Sequence, residues 1–539
     1  MEERARQGAA KSAVPGVPVP APPPEDGAAP EREVVRPGRG RASLRRNTLF
    51  LSGGQLATWT MTAAWTLVVP RALGAGRMGL LVTAWSAASI FGVLLGLGAR
   101  SYLVREIVAV PARAQPFMNA AITLRIMLIP LFVAAVIAYG RVVHFDGTEM
   151  VMLALASGAT LLTLLAEPIR AVFQAKERME YLAFGDLVGK SAQSGAGILV
   201  ALLGLGTIGL SSVWMVAAGI VVVLSARWAR PYARVSLRTD LALVRSVARR
   251  SIAYYATDLF FVIYLWIDTV MLGVLARPEV VGWYGVATRL FQTLMFVPTI
   301  MATAWLPRLV AAHHEGRDRF RREGRAPLEW VVLLSVPAAV GTAVLAGPAV
   351  HLLYGSTYAG AVPVLQILAL TVPATYVNTM LAQLLIAQDR LPLWTWFMAG
   401  AAIVNPVLNV YLIRLFEAGH GNGALGAAWS LFITELVMMI GGLVLVGRTV
   451  AGARWFWRLP RIIVVAAAMW AVTDLSRSLG MVFAGFAGLV SFALFAFALG
   501  LPTREDARAA ASGLRRHLAR WSRPWRRAVP GSEPLEAEP

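Results

Sequence analysis

The chain has 539 residues, of which 57% are hydrophobic, and it carries a formal net charge of +20. Soluble domains rarely have this composition, and the apolar residues lie in long runs with charges between them, so we expect a polytopic membrane protein. Cysteine is absent, which excludes disulfides, thiolate catalysis and cysteine metal sites.

The first 46 residues are rich in Pro, Ala, Gly and charge and contain no apolar core of signal-peptide type, so a disordered tail is predicted. Fourteen apolar segments follow, each a candidate membrane helix. The fifth and sixth segments, and the thirteenth and fourteenth, are separated only by weak breaks, at Gly204 and at 474–477. The predicted cores lie at 49–70, 79–97, 118–139, 150–169, 182–203, 207–226, 251–275, 282–306, 327–350, 361–386, 392–416, 424–447, 459–476 and 480–501.

Positive charges alternate between the loops that join these segments. With the amino terminus placed in the cytoplasm, the inner loops hold 23 Lys or Arg and the outer loops hold 5. Cytoplasmic loops carry the basic excess in membrane proteins, so both termini are predicted to be cytoplasmic. This asymmetry explains most of the net charge, and no nucleic-acid partner is expected. The basic carboxyl-terminal tail either lies on anionic inner-leaflet lipids as a helix or is merely solvated.

The chain also repeats itself, which is common in transporters. PRALGAGRMGLLVTAWSAASIF after the first segment resembles GVLARPEVVGWYGVATRLFQTL after the seventh, and FQAKERMEYLAFGDLVGKSAQ resembles LIAQDRLPLWTWFMAGAAIVN. Six segments separate the copies, so the two halves run parallel. The predicted fold is an all-α polytopic membrane protein of about 14 transmembrane helices, in two parallel-repeat six-helix lobes plus two extra C-terminal helices.

The domain boundaries follow from this pattern. They give a disordered cytoplasmic tail (1–46), an N-terminal six-helix lobe (47–228) and a basic cytoplasmic linker (229–250). A C-terminal six-helix lobe (251–448), two additional transmembrane helices (449–501) and a basic cytoplasmic tail (502–539) follow.

Several ionisable residues lie inside the predicted segments. An unpaired charge costs roughly 2.5–3.5 kcal/mol at the centre of a membrane helix, so these side chains should point away from lipid. Asp268 and Arg289 either pair with each other or line a polar cavity that handles a charged cargo. Asp186 and Lys190, four residues apart, are expected to pair with each other. The other intramembrane charges are Arg125, Asp258 and Glu435.

Motifs of enzymes are missing from the sequence. It contains no GxSxG, no P-loop GxxxxGK[ST] and no HExxH, and no paired carboxylates in a soluble domain. We therefore expect a protein that is not an enzyme, with no metal site and no cofactor.

A family resemblance rests on the order of several short motifs. They are WIDTVMLG, EVVGWYGVATRL, LPRL, LLYGSTYAGAVPVLQILAL, LIAQDRL, VNPVLNVYLIRL and GALGAAWSLFITE. In this order, with fourteen segments, the chain from about residue 44 to 500 resembles the Wzx-type polysaccharide-biosynthesis flippases of the multidrug/oligosaccharidyl-lipid/polysaccharide exporter superfamily.

The resemblance implies a transporter in the bacterial cytoplasmic membrane. Its cargo would be an undecaprenyl-pyrophosphate-linked oligosaccharide, moved to the outer leaflet by alternating access around a cationic cavity. Arginine suits a pyrophosphate because its planar fork makes bidentate contacts, so Arg289 is the first candidate for cargo binding and Arg125 the second. A polysaccharide polymerase or other assembly protein is a possible partner.

The remaining polar residues of the segments have two interpretations each. Asp258, Asp268 and Glu435 would orient the arginines or carry a coupling cation. Asn405 and Asn409, four apart on one helix face, would contact sugar hydroxyls or form interhelical hydrogen bonds.

Three other functions remain open. A cation-coupled multidrug exporter of the same superfamily would use the carboxylates as its ion site, although Arg125 and Arg289 would repel cationic drugs. A flippase for peptidoglycan-precursor lipid would have the same fold. A membrane glycosyltransferase or polymerase would need a large loop or domain with acid and base residues, whereas the outer loops here are short.

Overall fold

The computed structural model describes residues 37–96, 98–446 and 458–501. The chain divides into two compact units, Met1–Thr48 and Leu49–Pro539. Most of the predicted tail at 1–46 and the whole of the tail at 502–539 lie outside the described residues. Residues 37–46 are described and belong to a helix, and the domain boundaries stay a prediction.

All regular structure in the described residues is helical. The long helices are α1 (Pro37–Gly96), α2 (Ala99–Ala109), α3 (Ala114–Val142), α4 (Gly147–Ala175), α5 (Met179–Ser191), α6 (Gly197–Leu202), α7 (Gly206–Ala229), α8 (Leu241–Leu275), α9 (Pro278–Leu294), α10 (Phe296–Glu315), α11 (Arg317–Tyr354), α12 (Ala361–Ala387), α13 (Leu391–His420), α14 (Gly423–Val446), α15 (Leu459–Leu475) and α16 (Met481–Ala498). A π-helical turn, Ala192–Ala196, joins α5 to α6.

The predicted cores coincide with these helices to within a few residues. In the described part of the chain, eleven helical stretches are long and apolar enough to cross a membrane. One of them, Thr58–Gly96, covers most of the first two predicted segments, which are separated by a sharp turn at Gly74 (φ 74°, ψ 168°). The all-helical membrane fold is therefore confirmed, and the number fourteen stays a prediction.

Two repeat-related glycines bring the halves of the molecule together. We call the chain up to α7 the N-terminal half and the chain from α8 to α14 the C-terminal half. A Cβ atom at Gly79 would lie 1.7 Å from the carbonyl oxygen of Pro278, and one at Gly282 would lie 2.1 Å from the carbonyl oxygen of Ala75. Ala75 and Pro278 have the same spacing in the sequence as Gly79 and Gly282, so the contact is nearly two-fold symmetric. Only glycine permits such close backbone approach.

Other contacts reinforce this face of the molecule, which is the predicted outer one. The Arg71 guanidinium reaches the carbonyl of Leu352, at 2.5 Å, and the Tyr358 hydroxyl donates to the carbonyl of Pro70, at 2.9 Å. Both hydrogen bonds join the N-terminal half to the C-terminal half. The predicted outer ends of the two halves are therefore closed against each other.

The two last helices are fixed to α11. Arg458 pairs with Glu329 at 2.6 Å, and Arg477 donates to the carbonyl of Val344. These contacts lie near opposite ends of α15, so the helix is held at two points.

Candidate substrate cavity

Three neighbouring cavities surround Trp85, which lines all of them. The wide cavity (820 Å³) lies between α1, α2, α4 and α8, and the narrow cavity (190 Å³) lies between α1 and α7 on one side and α8, α9, α12 and α14 on the other. The side cavity (340 Å³) lies within the N-terminal half, against α5. The wide and narrow cavities lie between the halves, and all three cavities lie on the far side of the glycine contact from the predicted outer face.

Arg289 lines the narrow cavity from α9. Its guanidinium carbon lies 5.9 Å from the centroid of the Trp65 ring, a cation–π contact. Among the described residues, no carboxylate lies within ion-pair distance of Arg289. The alternative that Arg289 pairs with Asp268 does not hold in this structure, and the guanidinium is left accessible within the cavity.

Asp268 is instead satisfied by neutral donors. The Tyr284 hydroxyl donates to one carboxyl oxygen at 2.8 Å, and the Asn409 amide donates to the other at 2.6 Å. Asn409 also donates to the side-chain oxygen of Asn405 at 2.8 Å. All four side chains are buried, and Asp268 is the most exposed of them, at 5%. Asn409 therefore forms an interhelical hydrogen bond, which was one of the two interpretations of the asparagines, and it joins α13 to α8. Its bond to Asn405 lies within α13.

Glu435 forms a second buried carboxyl group in the C-terminal half. It is 2% exposed, accepts a hydrogen bond from the Tyr264 hydroxyl, and accepts another from the Asn378 amide at 2.6 Å. Asp258 differs from both buried carboxyls because it is exposed and lines the wide cavity. Asp268 and Glu435 both line the narrow cavity, whereas Asp258 lines the wide one, so the three carboxyl groups are not brought together into one ion site.

Arg125 does not face the cavities. It is 1% exposed, donates to the carbonyl of Leu164 and pairs with Glu167 at 2.8 Å. This arginine holds α3 against α4, and it places the Glu167 carboxylate at the junction of the wide and side cavities. We therefore assign Arg125 a structural role instead of the cargo contact expected from the sequence.

The expected pair between Asp186 and Lys190 is wrong. Asp186 pairs with Arg170 of α4 at 2.7 Å, and Lys190 donates to Gln193 at 3.2 Å. The reason is geometric, because α5 packs beside α4 and a guanidinium on the neighbouring helix competes for the carboxylate. Lys190 is left exposed in the side cavity, directly before the π-helical turn, and Arg289 is near enough to repel it. Such turns are frequent at functional sites.

Some cavity residues were missed by the sequence analysis. Arg100, from α2, lines the wide and side cavities, and its only hydrogen-bond partner in the described region is Gln174, at 3.3 Å. Because Arg100 lies in a predicted inner loop, the sequence analysis used it only as evidence for topology and did not place it at a cavity. The tryptophans were missed as well, because indole rings are ordinary core residues. They are Trp65, Trp85, Trp214 and Trp266.

Comparison with known families identifies the chain. The family model described as polysaccharide biosynthesis protein matches residues 44–313, half of the chain. The chain belongs to this family. A second model, described as MatE, matches residues 255–411 of this polysaccharide biosynthesis protein. The resemblance to Wzx-type flippases inferred from the sequence motifs is confirmed.

Two curated relatives of this polysaccharide biosynthesis protein come from Haloferax volcanii. It is 32% identical to the probable flippase AglR over 189 residues, which are 34% of this chain and 37% of AglR. It is 24% identical to the probable low-salt glycan biosynthesis flippase Agl15 over 364 residues, which are 66% of this chain and 74% of Agl15. The first alignment thus spans little more than a third of AglR.

Solved structures share the fold of this polysaccharide biosynthesis protein. A lipid II flippase, MurJ, in an inward closed conformation has a TM-score of 0.65 at 13% identity, with 83% of this chain and 98% of that chain covered. An inward-facing multidrug resistance MATE family transporter of the MOP superfamily has a TM-score of 0.54 at 16% identity, with 72% and 93% covered. At these identities the likeness is one of fold alone.

Proposed function

We propose that this protein moves an undecaprenyl-pyrophosphate-linked oligosaccharide from the cytoplasmic to the outer leaflet, by alternating access, for polysaccharide export. The observation that carries the proposal is a set of three cations without ion-pair partners among the described residues. They line the three cavities and are Arg100, Lys190 and Arg289. A pyrophosphate would supply the anionic partner that these cations lack.

Of the acidic residues that line the cavities, Asp258 shares the wide cavity with Arg100 without an ion pair in the described region, and the others are already engaged. Glu167 and Asp186 already pair with Arg125 and Arg170. Asp268 and Glu435 are buried among neutral hydrogen-bond donors, so they are better suited to a coupling cation than to neutralising an arginine. Lys190 and Arg289 would repel cationic drugs, which disfavours the multidrug exporter.

Lys190 and Arg289 come from opposite halves. Lys190 belongs to α5 and Arg289 to α9, and two like charges repel each other. An anion placed between them would attract both halves at once, and a ligand shifts a conformational equilibrium only through such differential contacts. Cargo binding would thereby drive the change of access.

Deletion of the gene in its own cell tests the function. We expect lipid-linked oligosaccharide to accumulate on the inner leaflet and surface polysaccharide to disappear, with both restored by a plasmid copy. Drug susceptibility and peptidoglycan synthesis are measured in the same cells. Unchanged surface polysaccharide with greater drug sensitivity would favour the exporter, and a block in peptidoglycan synthesis would favour the precursor-lipid flippase.

The proposed orientation has its own test, because the native chain contains no cysteine. Leu203, between α6 and α7, and Leu237, before α8, are 63% and 64% exposed. We expect Leu203→Cys to react with an impermeant thiol reagent in intact cells, and Leu237→Cys to react only after the membrane is opened. The reverse pattern would invert the topology.

A further inference from the structure

Trp85 and Trp266 occupy the boundary between the wide and the narrow cavity. Both line both cavities, Trp85 from α1 in the N-terminal half and Trp266 from α8 in the C-terminal half. Each indole is only partly buried, so each presents ring surface to the cavities. Two aromatic rings from opposite halves therefore meet any molecule that extends from one cavity into the other.

The orientation of Trp85 is fixed by its neighbours. Its ring meets Trp214 edge to face, with centroids 4.2 Å apart, and Trp214 packs on Trp65 at 5.9 Å. Trp65 is the ring over which the Arg289 guanidinium lies. The row of indoles thus connects the cation of the narrow cavity to the wall of the wide cavity, and a fixed ring loses little entropy on binding a ligand.

The wide cavity has the lining expected for a glycan. Its hydroxyl, amide and charged groups are supplied by Ser89, Thr160, Thr163, Gln174, Arg100, Glu167 and Asp258. Its volume of 820 Å³ falls within the range of small-ligand sites. Pyranose rings carry hydroxyl groups at their rim and a face of C–H bonds, and such a face packs on the electron-rich face of an indole.

We propose that Trp85 and Trp266 form an aromatic clamp that holds the first sugar of the cargo. This inference rests on the proposed function. In that cargo the first sugar is bonded directly to the pyrophosphate, so a pyrophosphate at Arg289 in the narrow cavity places this sugar at the cavity boundary. The rest of the glycan extends into the wide cavity. The clamp selects a first sugar with an unobstructed C–H face.

Two probes separate the clamp from the anion site. Farnesyl pyrophosphate carries the lipid and the pyrophosphate, and farnesyl-pyrophosphoryl-glucose adds one pyranose. We expect purified wild-type protein to bind both probes, and the glucosylated probe more tightly. Trp85→Leu should weaken binding of the glucosylated probe about threefold to tenfold and leave farnesyl pyrophosphate unchanged. Trp85→Phe, which keeps an aromatic face, should restore most of the loss.

Control variants make each outcome decisive. Arg289→Met should weaken both probes, and Trp396→Leu, which changes a tryptophan 75% exposed on α13, should weaken neither. Equal loss of both probes in Trp85→Leu, or no gain in binding from the glucose in wild type, overturns the clamp while leaving the anion site in place. Failure of wild type to bind either probe refutes the proposed function, and the clamp with it.

Discussion

Replacement of Arg289 by methionine is expected to abolish export while leaving the amount of folded protein unchanged. The side chain makes no ion pair in the described region, and its cation–π contact with Trp65 is modest. Asp268 keeps its hydrogen bonds from Tyr284 and Asn409 when Arg289 is removed, so no buried carboxyl loses a partner. The loss should therefore appear in transport alone.

The expected size follows from the interaction that is lost. A hydrogen bond to a charged group contributes about 1.5–3 kcal/mol, which corresponds to roughly tenfold to a hundredfold in binding. Arg289→Lys should be impaired as well, because an ammonium is a point charge and cannot reproduce the bidentate fork of the guanidinium. The measurement is surface polysaccharide in the deletion strain, normalised to protein level in the same membranes.

Arg125→Met is the matched control. Arg125 is buried and paired with Glu167, whose side chain is 29% exposed, so its loss should cost less than the about 3–5 kcal/mol of a fully buried ion pair. This variant should lower the amount of folded protein, in contrast to Arg289→Met. Full export by a well-expressed Arg289→Met protein would remove Arg289 from the cargo site and leave it as a packing residue against Trp65.

The sequence was sufficient to predict the fold because the bilayer dictates how apolar the membrane segments are and how regularly they recur along the chain. Most predicted cores lie on a single helix, although 182–203 crosses the π-helical turn and 282–306 crosses from α9 to α10. The repeat correctly paired Gly79 with Gly282 as equivalent positions. The depth of a charge in the membrane also follows from its position along a helix. Asp268 and Arg289 both lie in helical stretches that are long and apolar enough to cross a membrane.

The partners of these charges could not be read from the sequence. A partner depends on which face of a helix meets which neighbour, and that is decided by packing between segments far apart in the chain. Asp268 contacts Asn409 of α13, and Asp186 contacts Arg170 of α4. Tyr284, the closest partner of Asp268 in sequence, was overlooked because a tyrosine in a membrane segment carries no formal charge. Trp85 was overlooked for the same reason.

The close contact of the halves at Gly79 leads to the second large effect. A Cβ at this position would overlap a backbone carbonyl, that of Pro278, and a backbone atom cannot move aside as a flexible side chain can. Gly79→Ala should therefore prevent the predicted outer ends from closing. Alanine is about 1 kcal/mol better than glycine within a helix, so a loss of function cannot come from a weakened α1.

A cysteine within the cavity reports the change. Gln292 is exposed in the narrow cavity, and we expect Gln292→Cys to react slowly with an impermeant thiol reagent in intact cells while the outer ends are closed. With Gly79→Ala added, labelling from outside should become much faster and export should fall at least tenfold. Gly347→Ala is the matched control, since a Cβ at Gly347 of α11 meets no atom within 4 Å.

The two-fold character of the contact sharpens this test. Gly282→Ala should have the same effect as Gly79→Ala, because its Cβ would overlap the carbonyl of Ala75 in the equivalent way. The double variant should be no worse than either single one, since both substitutions break one shared contact and their effects are not additive. If both alanine variants export polysaccharide normally and leave Gln292→Cys protected, closure of the outer ends at these glycines is not a step of the transport cycle.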